Sequence, residues 1–182
     1  MIRYKFILIT FLYFCIFAPV FSQDSTKVTV VLPEKGKQFD LGVGQAITKI
    51  PSEITNGEFA QIELIEYPGY ETPLHVHDHT TEVFYVVEGI LTVLIDGVLQ
   101  TVEPGGFVFI PQGTPHAQGN FTDSDLRTIV TFYPGGFEKF FEARSEIVKL
   151  YTPGTERYGE EMRKLGRKYD IRIIEHEPFR EQ

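Results

Sequence analysis

The stretch from Ile90 to Val102 constrains the fold more than any other. Two strand-like runs, Ile90–Ile95 and Val98–Val102, flank the dipeptide Asp96-Gly97. A two-residue connection of this kind favours a tight hairpin, because both turn residues must take positive φ and Asp-Gly tolerates that. Similar short runs continue on either side. Phe59–Glu66 alternates polar and apolar residues, which marks a strand buried on one face. Val83–Val87 is continuously apolar and closes at Glu88-Gly89; Gly106–Ile110 ends at Pro111; Arg127–Tyr133 ends at Pro134-Gly135-Gly136. Val28–Leu32, stopped by Pro33, reads as a further strand. Many short strands at even spacing, separated by turn residues, predict an all-β sandwich or barrel. The abundance of aromatics, 16 Phe and 9 Tyr, agrees with β structure.

The ends of the chain differ from this middle. Arg3 and Lys5 precede an almost unbroken apolar run, Phe6–Val20, and then Val20-Phe21-Ser22. This is the layout of a secretory signal peptide, residues 1–22, cut after Ser22; the run is short of the ~20 residues a membrane-spanning helix needs. The expected location is therefore secreted or periplasmic. Cleavage would remove Cys15, the only cysteine, so neither a thiolate ligand nor a disulfide is expected afterwards. Beyond the last barrel strand, Phe137, Phe140, Phe141, Ile147, Val148 and Tyr151 recur near helical spacing, as do Tyr158, Met162, Leu165 and Tyr169. Two amphipathic helices are predicted, packed on the outer barrel surface or on a partner subunit. The expected organisation is a barrel over residues 23–134, with its core at about 58–133, and a helical extension over 135–182. A formal net charge of −8 argues against nucleic acid or an anionic membrane as a partner.

The chemistry is concentrated between Gly69 and Asn120. His75, His77 and His79 lie at alternate positions, and residues two apart on a strand point to one face. His75 and His77 can therefore aim two imidazoles at one point; His79 joins them only if the strand continues. Glu82 follows shortly, and His116 arrives from a later strand. Three imidazoles and a carboxylate suit Fe, Mn, Ni, Co, Cu or Zn, and suit oxygen-preferring Mg or Ca poorly.

Two spacings sharpen this. Gly69, His75, His77, Glu82 and Gly89 form one pattern; Gly105, Pro111, Gly113, His116 and Asn120 form another. Both resemble the two conserved motifs of the cupin superfamily at every defining position. The resemblance implies an antiparallel jelly-roll barrel with His75, His77, Glu82 and His116 as ligands of one divalent transition-metal ion inside it. It leaves His79 as a polar loop residue or a group behind the ligands, and gives Asn120 a turn-shaping role. Cupins commonly form homodimers, and the aromatic helices offer a surface for one.

A finer resemblance rests on Tyr133-Pro134-Gly135-Gly136-Phe137-Glu138-Lys139-Phe140-Phe141, which is similar to the segment after the barrel in single-domain relatives of quercetin dioxygenases. It implies a metal-dependent oxygenase acting on a small phenolic or enolisable compound. Glu82 then either ligates the metal or takes the substrate's hydroxyl proton as a catalytic base. Phe84, Phe107, Phe109, Phe121 and Phe132 are candidates for an aromatic pocket, or simply fill the barrel. Two other functions stay open: a non-redox metalloenzyme such as an isomerase, epimerase or lyase on a sugar or small acid, and a non-catalytic small-ligand-binding protein. His176, in a charged tail, is expected to be solvated.

Overall fold

The computed structural model describes residues 28–180. The expected signal peptide, residues 1–22, lies outside them. No helix among the described residues is long and apolar enough to cross a membrane.

Eleven strands form two antiparallel sheets. They are β1 (Lys37–Asp40), β2 (Gly44–Ile50), β3 (Ala60–Glu66), β4 (Leu74–Val76), β5 (Thr81–Glu88), β6 (Leu91–Ile95), β7 (Val98–Val102), β8 (Phe107–Ile110), β9 (His116–Gly119), β10 (Leu126–Tyr133) and β11 (Arg172–Glu175). One sheet has the order β1-β2-β3-β10-β5-β8, the other β11-β4-β9-β6-β7. This is the expected jelly-roll. Two helices, α1 (Lys139–Leu150) and α2 (Glu156–Lys168), precede β11.

Inward and outward residues alternate as the pleat requires. On β10, Leu126, Thr128, Val130 and Phe132 are buried; on β5, Glu82, Phe84 and Val86 are. Asp96 (φ 49°) and Gly97 (φ 77°) both adopt positive φ between β6 and β7, as the hairpin reading predicts. Phe107 and Phe109 point outward from β8 and are about two-thirds exposed (67% and 66%), so neither belongs to an aromatic pocket. Phe121 is also exposed and meets Phe179 instead, at 4.8 Å between ring centroids.

Three expectations need correction. Val28–Leu32 forms no strand and is exposed, despite its β-branched composition; it belongs to neither sheet. The region between it and Phe59 instead holds β1 and β2, a hairpin that extends the larger sheet. The helices do not simply cover the outer barrel surface; they enter its core. Phe137, Phe140, Phe141 and Leu165 belong to the same buried cluster as Ile62, Phe84 and Phe132. Phe132 and Phe137 lie 4.8 Å apart, and Phe137 and Phe140 stack at 5.3 Å. The extension is also more than helical, because β11 returns to pair with β4.

If α1 is part of the barrel's core, Phe141→Ala should cost about 3–5 kcal/mol, as for other buried aromatics. Urea unfolding should show this as a lower midpoint in a single transition. A loss under about 1 kcal/mol would mean that the extension packs loosely.

Candidate metal centre

His75, His77 and His116 are supplied by the smaller sheet and its edge. His75 on β4 lies directly opposite His116 on β9. His77 follows one residue after β4 ends and keeps the alternate-residue direction of His75. Glu82 comes from the other sheet, on β5, opposite Phe132 of β10. All four are buried. Ligand atoms of the three histidines lie within 4.8 Å of one another. Glu82 completes the group: its Oε2 is 3.1 Å from His116 Nε2 and its Oε1 is 3.4 Å from His77 Nε2. The structure thus brings together all four residues singled out in the sequence.

The far nitrogen of each ring decides what the near one can do. His75 Nδ1 donates to Pro73 O (2.8 Å), His77 Nδ1 to Asp170 O (2.9 Å) and His116 Nδ1 to Thr114 O (2.9 Å). A ring nitrogen facing a carbonyl must carry the hydrogen, so in each neutral ring Nε2 keeps its lone pair. Those lone pairs converge. His75 Nε2 and His77 Nε2 are only 3.2 Å apart, a contact between two acceptors unless a positive charge lies between them. Burial, with His116 and His77 adding to it, drives the His75 pKa down to about 3, so His75 is neutral at physiological pH. Burial alone would raise Glu82, but His77 and His116 more than reverse it and hold the carboxyl down at about 2. Burial disfavours a charged His116, yet its contact with the Glu82 carboxylate outweighs this and raises its pKa. The group is therefore a carboxylate and three imidazoles with their lone pairs on one point, a donor set that fits a transition-metal ion.

Asp170 carries no signal in the sequence because its partners lie about ninety residues earlier. It sits after α2 at φ 59°. Its carboxylate accepts from the backbone N–H of Asp78 (3.1 Å) and His79 (2.8 Å) and from Thr80 Oγ1 (3.1 Å). Its carbonyl fixes the His77 ring. One residue of the extension thus sets both the loop after His77 and the ring itself. His79 is exposed and stands outside the ligand cluster. Asn120 shapes its turn: Oδ1 accepts from Thr122, and Nδ2 donates to Glu66 O and Ser124 O, each at 2.8 Å.

Beside the cluster is a cavity of about 370 Å³ that reaches His75, His77 and Glu82. Five phenylalanines line it, Phe84, Phe132, Phe137, Phe140 and Phe141, and the extension supplies three of them. Phe137 meets the His77 ring edge-on at 4.7 Å. Helical spacing had marked these phenylalanines as an apolar face without saying what they cover. His176 is exposed, as expected, but also borders the cavity.

The jelly-roll with its three-histidine, one-glutamate cluster is similar to the cupins. Residues 64–132 match the Cupin_2 family, the cupin domain. A quercetin 2,3-dioxygenase of Bacillus subtilis is 34% identical over 88 residues, covering 48% of this chain and 26% of that protein. The chain thus spans about a quarter of that curated relative. Two solved structures share the fold. KdgF from Halomonas sp. has a TM-score of 0.54 at 18% identity and covers 60% of this chain and 96% of its own. An RmlC-like cupin from Shewanella frigidimarina has a TM-score of 0.51 at 24% identity, covering 60% and 93%.

Near the cavity, Glu66 is fully buried. Its Oε1 accepts from Gln118 Nε2, while Oε2 has no hydrogen-bond partner among the described residues. Burial pushes its pKa up to about 8, against the Gln118 hydrogen bond and the charge of Arg144. A carboxyl with a raised folded-state pKa contributes stability that is complete below its unfolded pKa and fades as pH rises through 8. Wild-type protein should therefore lose stability relative to Glu66→Gln between about pH 5 and pH 9. Urea midpoints of the two proteins across that range test this; a constant difference would show that Glu66 does not titrate there.

Proposed function

We propose that His75, His77, Glu82 and His116 hold one divalent transition-metal ion, and that the protein is a metal-dependent oxygenase acting on a small phenolic or enolisable compound. The observation that carries the metal proposal is the convergence of three Nε2 lone pairs, each enforced by a backbone carbonyl behind the ring. The donor chemistry supports Fe, Mn, Ni, Co, Cu or Zn. The oxygenase reading draws on the similarity to the Bacillus quercetin dioxygenase and on the aromatic cavity next to the cluster.

When bound, such an ion would lower the pKa of a substrate hydroxyl and orient the resulting oxyanion. The chain's own residues do the rest. Phe84, Phe132, Phe137, Phe140 and Phe141 give a planar ring an apolar seat and exclude water from it. Glu82 lines the cavity, so its carboxylate is placed to take the hydroxyl proton. Its low pKa makes it a weak base while it contacts His77 and His116; an effective base would have to relax those contacts. The sequence Arg3–Ser22 supports export as part of the same proposal.

Purified protein should carry close to one transition metal per chain after reconstitution. His116→Ala should retain metal far less well, while His79→Ala should stay near wild type. Elemental analysis of the three proteins decides this, and equal retention by His116→Ala would show that the site is misassigned. Metal-loaded protein should consume dioxygen with flavonols, catechols or small enols. Turnover that persists with zinc under anaerobic conditions would instead support a non-redox cupin enzyme. Binding without turnover in either atmosphere would support a ligand-binding protein.

A further inference from the structure

The cavity contains a cation that the metal-ligand cluster does not use. Arg144 projects from α1 into its lining, together with Tyr70 and Gln118, which are both more than nine-tenths buried. Its Nε is shut off from solvent and has no hydrogen-bond partner among the described residues. Nη2 reaches Leu41 O only at 3.5 Å. The guanidinium lies 5.8 Å from the centre of the Tyr70 ring.

Its place in the cavity, with Nε buried, sets Arg144 apart from the cations at the surface. Most of the described lysines and arginines sit against a carboxylate, as Lys49 and Arg127 do on Glu63 and Arg172 does on Asp78. Arg144 and Arg163, which both line the cavity, have no such partner among the described residues. Arg163 stands at the exposed side, with Nη1 packed over Gly159. A guanidinium keeps its charge at every relevant pH, and a buried donor without an acceptor is costly. Glu66, the carboxyl that acts on Arg144, is held largely neutral at pH 7 by burial and so compensates it weakly. Nothing else described supplies a negative group to that Nε.

We propose that Arg144, beside Tyr70, is an anion-binding subsite of the cavity, and that the molecule taken there carries a carboxylate on an apolar or aromatic body. The carboxylate would pair with the guanidinium, and the aromatic wall would take the body. Arg163 would draw the anion in at the mouth. This rests on reading the cavity as the substrate pocket of the metal centre, and narrows the substrate to an acid.

The test compares benzoate with benzamide, two probes of one shape that differ in charge, by calorimetry on the zinc-loaded full chain. Wild type should bind benzoate at least about tenfold more tightly than benzamide. Arg144→Gln should abolish that preference at unchanged zinc content, and Arg144→Lys should restore part of it. An Arg144→Gln protein that keeps the preference overturns the proposal, as does a wild type with none. A preference that survives Arg144→Gln but vanishes on zinc removal puts the carboxylate on the metal, which also overturns it. Should Arg144→Gln not fold, the Arg144 Nε–Hε resonance of wild type, assigned by its absence from Arg144→Lys, must shift with benzoate saturation; a stationary resonance refutes the subsite. Wild type that takes up no zinc yet prefers benzoate through Arg144 would sink the metal proposal and leave the subsite standing.

Discussion

A carboxylate and three imidazoles can share a barrel interior only if positive charge is shared among them. Removing one carboxylate from water costs several kcal/mol even after the protein relaxes. Here Glu82 faces His77 and His116 with both oxygens, and those contacts hold it ionised against the burial that would neutralise it. Without an ion, a proton on His116 is the available compensation. A divalent cation would satisfy the same carboxylate and also the facing lone pairs of His75 and His77, which one proton cannot. The three carbonyls behind the rings make that outcome follow from the backbone. Pro73, Thr114 and Asp170 each accept an Nδ1 hydrogen, and each thereby turns an Nε2 lone pair inward.

The rest of the molecule serves this polar point by surrounding it with apolar matter. β5 and β10 bring Glu82, Phe84, Val130 and Phe132 to the inner face, and the pairing of β4 with β9 sets His75 opposite His116. The helices complete the enclosure, with Phe137 touching the His77 ring itself. The cavity thus sets a candidate ligand cluster, an aromatic wall and a guanidinium without a carboxylate partner among the described residues beside one another. Its chemistry separates this chain from the general properties of its fold, which hosts many functions.

Much of this was legible in the sequence, for identifiable reasons. Strand periodicity is two, so His75 and His77 had to share a face. Asp96-Gly97 left the chain between β6 and β7 little choice but a hairpin. Glu82 and His116 followed from motif spacing, not from periodicity. Other features depended on information that a local pattern does not hold. Val28–Leu32 has the composition of a strand but joins neither sheet, whereas the less apolar Lys37–Asp40 pairs with β2. The spacing of Phe137, Phe140 and Phe141 identified an apolar face and not the surface it would meet. Arg144 carries no local signal of its own; only the cavity distinguishes it from paired cations such as Lys149.

The bond from His77 Nδ1 to Asp170 O ties the candidate site to the extension. It joins positions 93 residues apart. β11 then pairs Ile173 with His75. A chain cut after residue 133 would keep His75, His77, Glu82 and His116 yet lose the carbonyl that orients the second histidine. The extension is thus part of the site's own construction, and the two barrel motifs alone do not complete it.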